Sequence, residues 1–411
     1  MLQDRRVVAE GAATAQLQAE LKPIVPAGST TTLTVRLVRA ETAAGGGRGE
    51  LPSDAPVTVT VVPRGLRFLV GARHRRRVRL PSRGAAELRF TMLATDRGPA
   101  EVSVLVRGDD ELPLATARLT SEVVAADDHD QAGLARVTAP LVPADPAIAS
   151  RPTIRVDEET ARGRSVLHVA LSIGGDRHRF RMRIADMSAF VHEVRGSLAD
   201  AREAGMRLPR PEGAFEVERR LREIGSGLAD RLLDRRARDL LWAHRDGLDG
   251  IVLQATGGTA LPWELLVVRR PGGGATAEDR FLGQYGMTRW LTDVANPAAV
   301  RLAAGDGGVS APRVATEIAS ASVVALGAGT GAPDGGAAAA MRNGAGVVVE
   351  CGGRGGGVHA DRFLAAFSAE LASGAPLDAA SRRAREAARD AGETCALAYA
   401  VYGHPAARTT D

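Results

Sequence analysis

Lysine is almost missing from this chain: Lys22 stands alone among 53 basic residues, and the rest are arginine. Aromatic residues make up only 3% of the 411 positions. The cores must therefore be built from Val, Leu, Ile and Ala, and the stacked rings that hold single-stranded nucleic acid are scarce. Two cysteines, Cys351 and Cys395, allow neither a disulfide framework nor a cysteine metal site. His168, His178 and His192 are scattered without metal-ligand spacing, so neither a metal nor a cofactor is expected. No run approaches the ~20 apolar residues that cross a bilayer. The opening Met-Leu-Gln-Asp-Arg-Arg has no apolar leader core. The expectation is a cytoplasmic protein without a membrane partner.

What is present is a globular composition, with 45% hydrophobic and 25% charged residues. The formal net charge of +4 is a mild excess for this length. Its densest focus is Arg73-His74-Arg75-Arg76-Arg77 with Arg79. That cluster could meet nucleic acid or an acidic partner. With so few aromatics, the better reading is a solvated hairpin turn between two strands.

Periodicity divides the chain. Thr31 to Val38, Val57 to Val62, Ala86 to Phe90 and Val102 to Val106 alternate apolar with polar residues. Gly, Pro and Asp punctuate them, which predicts an all-β, immunoglobulin-like sandwich over residues 1–124. Residues 125–152 begin acidic and continue with four prolines among small residues, as an interdomain linker does. A β and helical lead-in is expected over 153–247, with strands at 154–156, 165–173 and 178–184. Helices follow at 187–204 and 213–244, the second broken near Gly225-Ser226-Gly227. Beyond Gly250, strands at 251–254, 298–303, 322–326 and 346–350 alternate with helices at 335–343, 359–373 and 376–391. A last strand is expected at 396–402. Such alternation indicates an α/β domain with a mostly parallel sheet over 153–411.

Within it, Leu261-Pro262-Trp263-Glu264-Leu265-Leu266 places a carboxylate inside an apolar run, where it needs a partner. Glu264 could face a catalytic cleft; a structural role bonding backbone groups beside Trp263 is the plainer reading. Trp242 and Trp290 read as core or interface anchors, Cys395 as a core residue, and His404 as part of a surface turn.

Several segments together resemble the CHAT domain, a bacterial relative of the caspase-like cysteine peptidases. These are GSGLADRLLDRRARDLLWAH (225–244), Ile251 to Leu253, Pro262-Trp263-Glu264, SVVALGAGTG (322–331) and Gly344 to Val349. The likeness continues through Phe363 to Phe367, Leu371 to Leu377, and Ala400 to Pro405. It covers roughly residues 150–408. It implies a caspase-like α/β fold, descent from peptidases of bacterial defence or signalling systems, and partner proteins encoded nearby. It also implies a cysteine nucleophile and a histidine, each just past the end of a parallel strand. Here the cysteine slot holds Ala328, and the histidine turn reads Gly305-Asp306-Gly307. A methyl group cannot attack a carbonyl, and aspartate is a poor substitute for imidazole near neutral pH. The expectation is a catalytically dead, peptidase-like scaffold.

Two alternatives stay open. Cys351, after the strand ending at Glu350, and His359 could form a displaced catalytic pair in an active endopeptidase. Alternatively, Gly327-Ala328-Gly329-Thr330-Gly331 with Glu350 mimics a dinucleotide-binding βαβ unit, although Ala332 stands where the last glycine belongs.

Overall fold

The computed structural model describes residues 13–41, 51–69, 71–109, 112–125, 133–142, 146–161, 164–256, 260–273, 276, 278–294, 296–302, 322–326, 336–350 and 361–410. The chain divides into two compact units between Ala149 and Ser150. No helix among the described residues is long and apolar enough to cross a membrane.

The first unit is a β-sandwich. Its strands are β1 (Ala13–Leu21), β2 (Ile24–Pro26), β3 (Thr30–Glu41), β4 (Pro56–Arg64), β5 (Leu66–Phe68), β6 (Arg75–Arg79), β7 (Gly84–Ala94), β8 (Gly98–Arg107), β9 (Pro113–Val124) and β10 (Ala135–Pro140). One sheet runs β10-β1-β3-β7-β5 and the other β2-β9-β8-β4-β6. Alternation decides which side chains enter the core. Leu33, Val35 and Leu37 are buried while Thr34 and Arg36 between them are half-exposed. These residues, with Leu17 and Phe90, meet Val59, Val61, Val102, Val104 and Leu119 of the other sheet in one continuous core.

Two expectations change here. Residues 125–152 are not wholly a linker, because β10 pairs antiparallel with β1 from Ala135↔Leu21 to Pro140↔Gln16. The proline-rich composition obscured a short alternating segment, in which Pro140 is the last strand residue. Nor is the arginine cluster only a turn. Arg75–Arg79 is edge strand β6, with Arg77 on Asp109 at 2.5 Å and Arg79 on Asp54 at 3.1 Å. A short helix, α1 (Pro146–Ala149), precedes the division.

The second unit is mixed α/β. It contains β11 (Thr153–Ala161), β12 (Arg164–Ile173), β13 (Asp176–Ile184), α2 (Met187–Met206), α3 (Glu212–Leu232), α4 (Arg235–Ala243), β14 (Val252–Ala255), β15 (Val267–Val268), β16 (Arg280–Phe281) and β17 (Thr288–Leu291). Then come β18 (Ala299–Val300), β19 (Val323–Leu326), α5 (Gly336–Arg342), β20 (Val347–Glu350), α6 (Asp361–Ala372), α7 (Leu377–Asp390), β21 (Ala400–Tyr402) and β22 (Arg408–Thr409). An eight-stranded sheet runs β13-β12-β11-β14-β17-β21-β20-β19. The junctions β11–β14, β14–β17, β17–β21 and β19–β20 are parallel, and the other three are antiparallel. The sheet is thus largely parallel, but β19 and β20 run opposite to β14 and β17.

Helix α3 is not broken at its glycines. A Cβ on Gly225 would stand 1.9 Å from the Leu265 carbonyl oxygen, so this glycine allows close packing rather than a break. The break falls later, where Leu233 is extended and the Asp234 carboxylate caps α4 by accepting from Ala237 N at 2.8 Å. The strand expected at 396–402 is half 3₁₀ turn (Thr394–Ala398) and half β21. Of that expected at 298–303, Ala299–Val300 form β18, which pairs with β22, Arg301 bridges Ser322 in the parallel sense, and residue 303 lies outside the described residues. Helices α2, α3 and α4 cover one sheet face through Phe190, Val194, Leu221, Leu228 and Leu241, against Ile154, Leu167, Val169 and Leu253. A second core joins Val323, Val347 and Val401 to Phe363, Phe367 and Leu371 of α6 and Leu377 of α7.

Candidate functional site

The site grows from Pro262. Lacking an amide hydrogen, Pro262 contributes only its carbonyl, which accepts from Leu265 N at 3.0 Å. Residues Trp263–Leu265 then form one 3₁₀ turn, closed by Leu266 N on the Trp263 carbonyl at 3.1 Å. Trp263 is fully buried in the core beneath α2 to α4. The turn points Glu264 inward, where it too is fully buried.

Both Glu264 carboxylate oxygens are taken by one guanidinium. Arg289 Nε donates to Oε1 at 2.7 Å, and Nη2 donates to Oε2 at 2.5 Å. The same Nη2 donates to the Leu261 carbonyl at 2.7 Å. Nη1 donates to the Tyr402 hydroxyl at 3.0 Å, and that hydroxyl donates to Glu350 Oε2 at 3.0 Å. Four segments that are remote in sequence therefore meet at one cation: the 261–266 turn, β17, β21 and the end of β20. The expectation that Glu264 bonds backbone groups is corrected, since its partner is a side chain 25 residues away. Such a bidentate pair satisfies both charges out of water.

Burial on its own would lower the Arg289 guanidinium, yet Glu264, then Tyr402 and Glu350, hold it above its ordinary value. Burial pushes the Tyr402 hydroxyl well up, against the pull of Arg289, and the Glu350 and Glu264 carboxylates add to the rise. At neutral pH, Arg289 is charged and Tyr402 is neutral.

A second buried arginine stands close by. Arg385 of α7 donates Nη2 to the Tyr399 carbonyl at 2.5 Å and Nη1 to the Gly283 carbonyl at 3.2 Å, and reaches the Ser381 hydroxyl. Burial lowers this guanidinium to about 10, opposed by Glu264 and reinforced by Arg289. It stays charged at neutral pH, bonded to neutral oxygens rather than to a carboxylate of its own.

This arrangement suits tethering rather than proton transfer. A base must offer a lone pair to a substrate proton, and both Glu264 oxygens already accept from Arg289. Glu350 is half-buried at the end of β20 and is the network's link towards residue 351.

The structure joins Pro262, Trp263 and Glu264 in one turn. Ala328, Asp306, Cys351 and His359 lie outside the described residues, as do 303–310 and 327–335. Burial pushes the Cys395 thiol up, so it is protonated at neutral pH. His404 is not a surface turn residue: it is buried, its ring lies 5.3 Å from that of Trp290, and its Nδ1 accepts from Ala406 N at 3.3 Å. His168 and His178 instead serve Glu159 and Asp234, at 3.1 and 2.8 Å. Sequence reasoning missed Arg289, Tyr402 and Arg385. The available signal was Arg289 inside the strand Thr-Arg-Trp-Leu, a cation at a position that must face inward. Arg385 gave less, since α7 is arginine-rich throughout.

Residues 19–119 match a family model described as a domain of unknown function (DUF7363), a match that lies within the sandwich unit. No curated protein matches the chain. A solved structure similar to part of it is the CARDB domain of the PF1109 protein from Pyrococcus furiosus, described in complex with di-metal ions. The identity is 15%, the TM-score is 0.21, and the match covers 30% of this chain and 100% of that one.

Proposed function

We propose that this chain is a CHAT-like protein of a bacterial defence or signalling system that has lost peptide hydrolysis and binds partner proteins encoded nearby. The observation carrying the reading is the fate of Glu264. The acid of the Pro-Trp-Glu motif is buried and bidentate on Arg289, so the motif serves to hold a sheet together. The sequence supports it further, with Ala328 in the nucleophile slot and Asp306 in the turn expected to carry histidine. A scaffold keeps the packing elements of its ancestor and has no use for the dyad.

The test is covalent capture by a peptidyl electrophile, alongside co-purification of the tagged chain with products of neighbouring genes. The reading expects specific partners and no capture. Capture that disappears in Cys351→Ala would establish the displaced Cys351/His359 pair instead. One observation favours a dinucleotide-binding reading: β19 and β20 are parallel, with α5 between them in sequence and Glu350 at the second strand's end. Against it, one Glu350 oxygen already accepts from Tyr402. Equilibrium dialysis with NAD decides that point.

A further inference from the structure

Strand β13 ends one side of the eight-stranded sheet and, among the described residues, pairs with β12 alone. An edge strand leaves every second N–H and C=O without a ladder partner. Its sequence, Asp-Arg-His-Arg-Phe-Arg-Met-Arg-Ile, is strictly two-faced. Phe180, Met182 and Ile184 pack into the core beneath α2 to α4, while Arg177, Arg179, Arg181 and Arg183 are all exposed on the opposite face. Successive arginines stand roughly 7 Å apart, and the four span roughly 20 Å.

The neighbouring acids on that face are already engaged. Register places His168 and then Asp157 beside Arg181, and Val166 and then Glu159 beside Arg183. Asp157 accepts from Arg155 at 3.0 Å and Glu159 from His168 at 3.1 Å. At the strand's start, Asp176 is held by His244 at 2.9 Å. Arg177, Arg181 and Arg183 hold no carboxylate among the described residues. The other arginine-rich edge, β6, differs: there Arg77 and Arg79 have Asp109 and Asp54. Charged side chains keep an edge from self-pairing; on β13 Arg177, Arg181 and Arg183 are exposed with no carboxylate on them among the described residues, while Arg179 between them is engaged.

The geometry points to β13 as a docking edge for an extended acidic segment of a partner protein. Such a segment adds as a further strand, its backbone completing the ladder and its alternate Asp or Glu side chains meeting the arginines. The free ladder edge favours a peptide over a nucleic acid, which would use the charge and leave the backbone groups unpaired. The inference stands whether or not the chain retains hydrolysis.

The experiment is fluorescence anisotropy with the full chain and a labelled peptide alternating glutamate with threonine. Three comparisons accompany it: an isomer with its glutamates in one block, the alternating peptide N-methylated at alternate amides, and an oligo-dT strand. Saturable binding of the alternating peptide is expected. It should weaken about tenfold or more in Arg181→Glu/Arg183→Glu, and similarly for the block isomer and on N-methylation. Both positions are exposed, so the variant should keep the parent's circular dichroism, and the peptide arms hold regardless of the variant. Equal binding of the block isomer, tighter binding of oligo-dT, or no saturable binding would overturn the proposal. None of these outcomes bears on covalent capture at Cys351, so the two readings fail separately.

Discussion

Glu264 gives both oxygens to one guanidinium, and that sets what a substitution there does. Glu264→Gln leaves the buried Arg289 without its counter-charge and should cost about 3–5 kcal/mol, read as a lower urea midpoint at unchanged slope. The double variant Glu264→Leu/Arg289→Met removes both charges and should recover most of that loss, a non-additivity that a double-mutant cycle measures directly. Arg385 makes a different case, because its acceptors are neutral and arranged for a fork. Arg385→Lys keeps the charge but cannot span the Tyr399 and Gly283 carbonyls together; a loss of about 1–3 kcal/mol is expected by the same measurement. The buried turn at Pro262-Trp263-Glu264 was legible in the sequence because a carboxylate amid Leu and Val has few places to go. Its partner was not, since Arg289 and Tyr402 are themselves 113 residues apart and no local pattern links them.

Two of the three glycines in helix α3, Gly225 and Gly227, look equivalent in sequence and are not. Gly227 has nothing within 4 Å of a Cβ built on it, whereas Gly225 abuts the Leu265 carbonyl. Gly227→Ala should therefore stabilise the protein by about 0.5–1 kcal/mol through helix propensity. Gly225→Ala should destabilise it by about 1–3 kcal/mol, because α3 must back away from the Trp263–Leu265 turn. Thermal melts of the two variants should move in opposite directions. The same pair shows where element reading stops. Strands with clean alternation, such as β3 and β4, and the long helices α2, α6 and α7 were expected close to where they lie. The helix break was misplaced, because a glycine marks either a break or a close approach and only the neighbouring chain decides which. β10 was hidden by the prolines around it, and the segment before β21 is a 3₁₀ turn that ends at Tyr399, whose carbonyl accepts from Arg385.

For the whole molecule, perturbed groups bound the pH range of stability on both sides. Hydrogen bonds from Arg219 and Arg220 lower Glu216 to about 2, and one from Arg231 lowers Glu193; Glu218 is also lowered, its bonds to Arg389 and Arg222 outweighing burial. Their contribution is present above the ordinary value of 4.5 and is lost as pH falls toward the folded values. Burial raises Tyr285 and Tyr402, so theirs is present below 10.0 and is lost as pH rises toward the folded values. Urea midpoints should form a plateau between these limits. High salt should blunt the acid limb, set largely by exposed pairs, and leave the alkaline limb, set by buried hydroxyls. The division into a sandwich and an α/β region was legible from periodicity alone, because each period of 2 or 3.6 repeats many times. The candidate site was legible only in the three residues of its turn, since the rest depends on strand order. That order has a kinetic consequence. β21 lies late in the chain yet sits between β17 and β20, in the interior of its sheet. Until it is synthesised and threaded into place, β17 and β20 each present an unpaired edge. Nascent chains must therefore wait with the sheet in two halves, and the interval before β21 arrives is when misassociation between molecules is most costly.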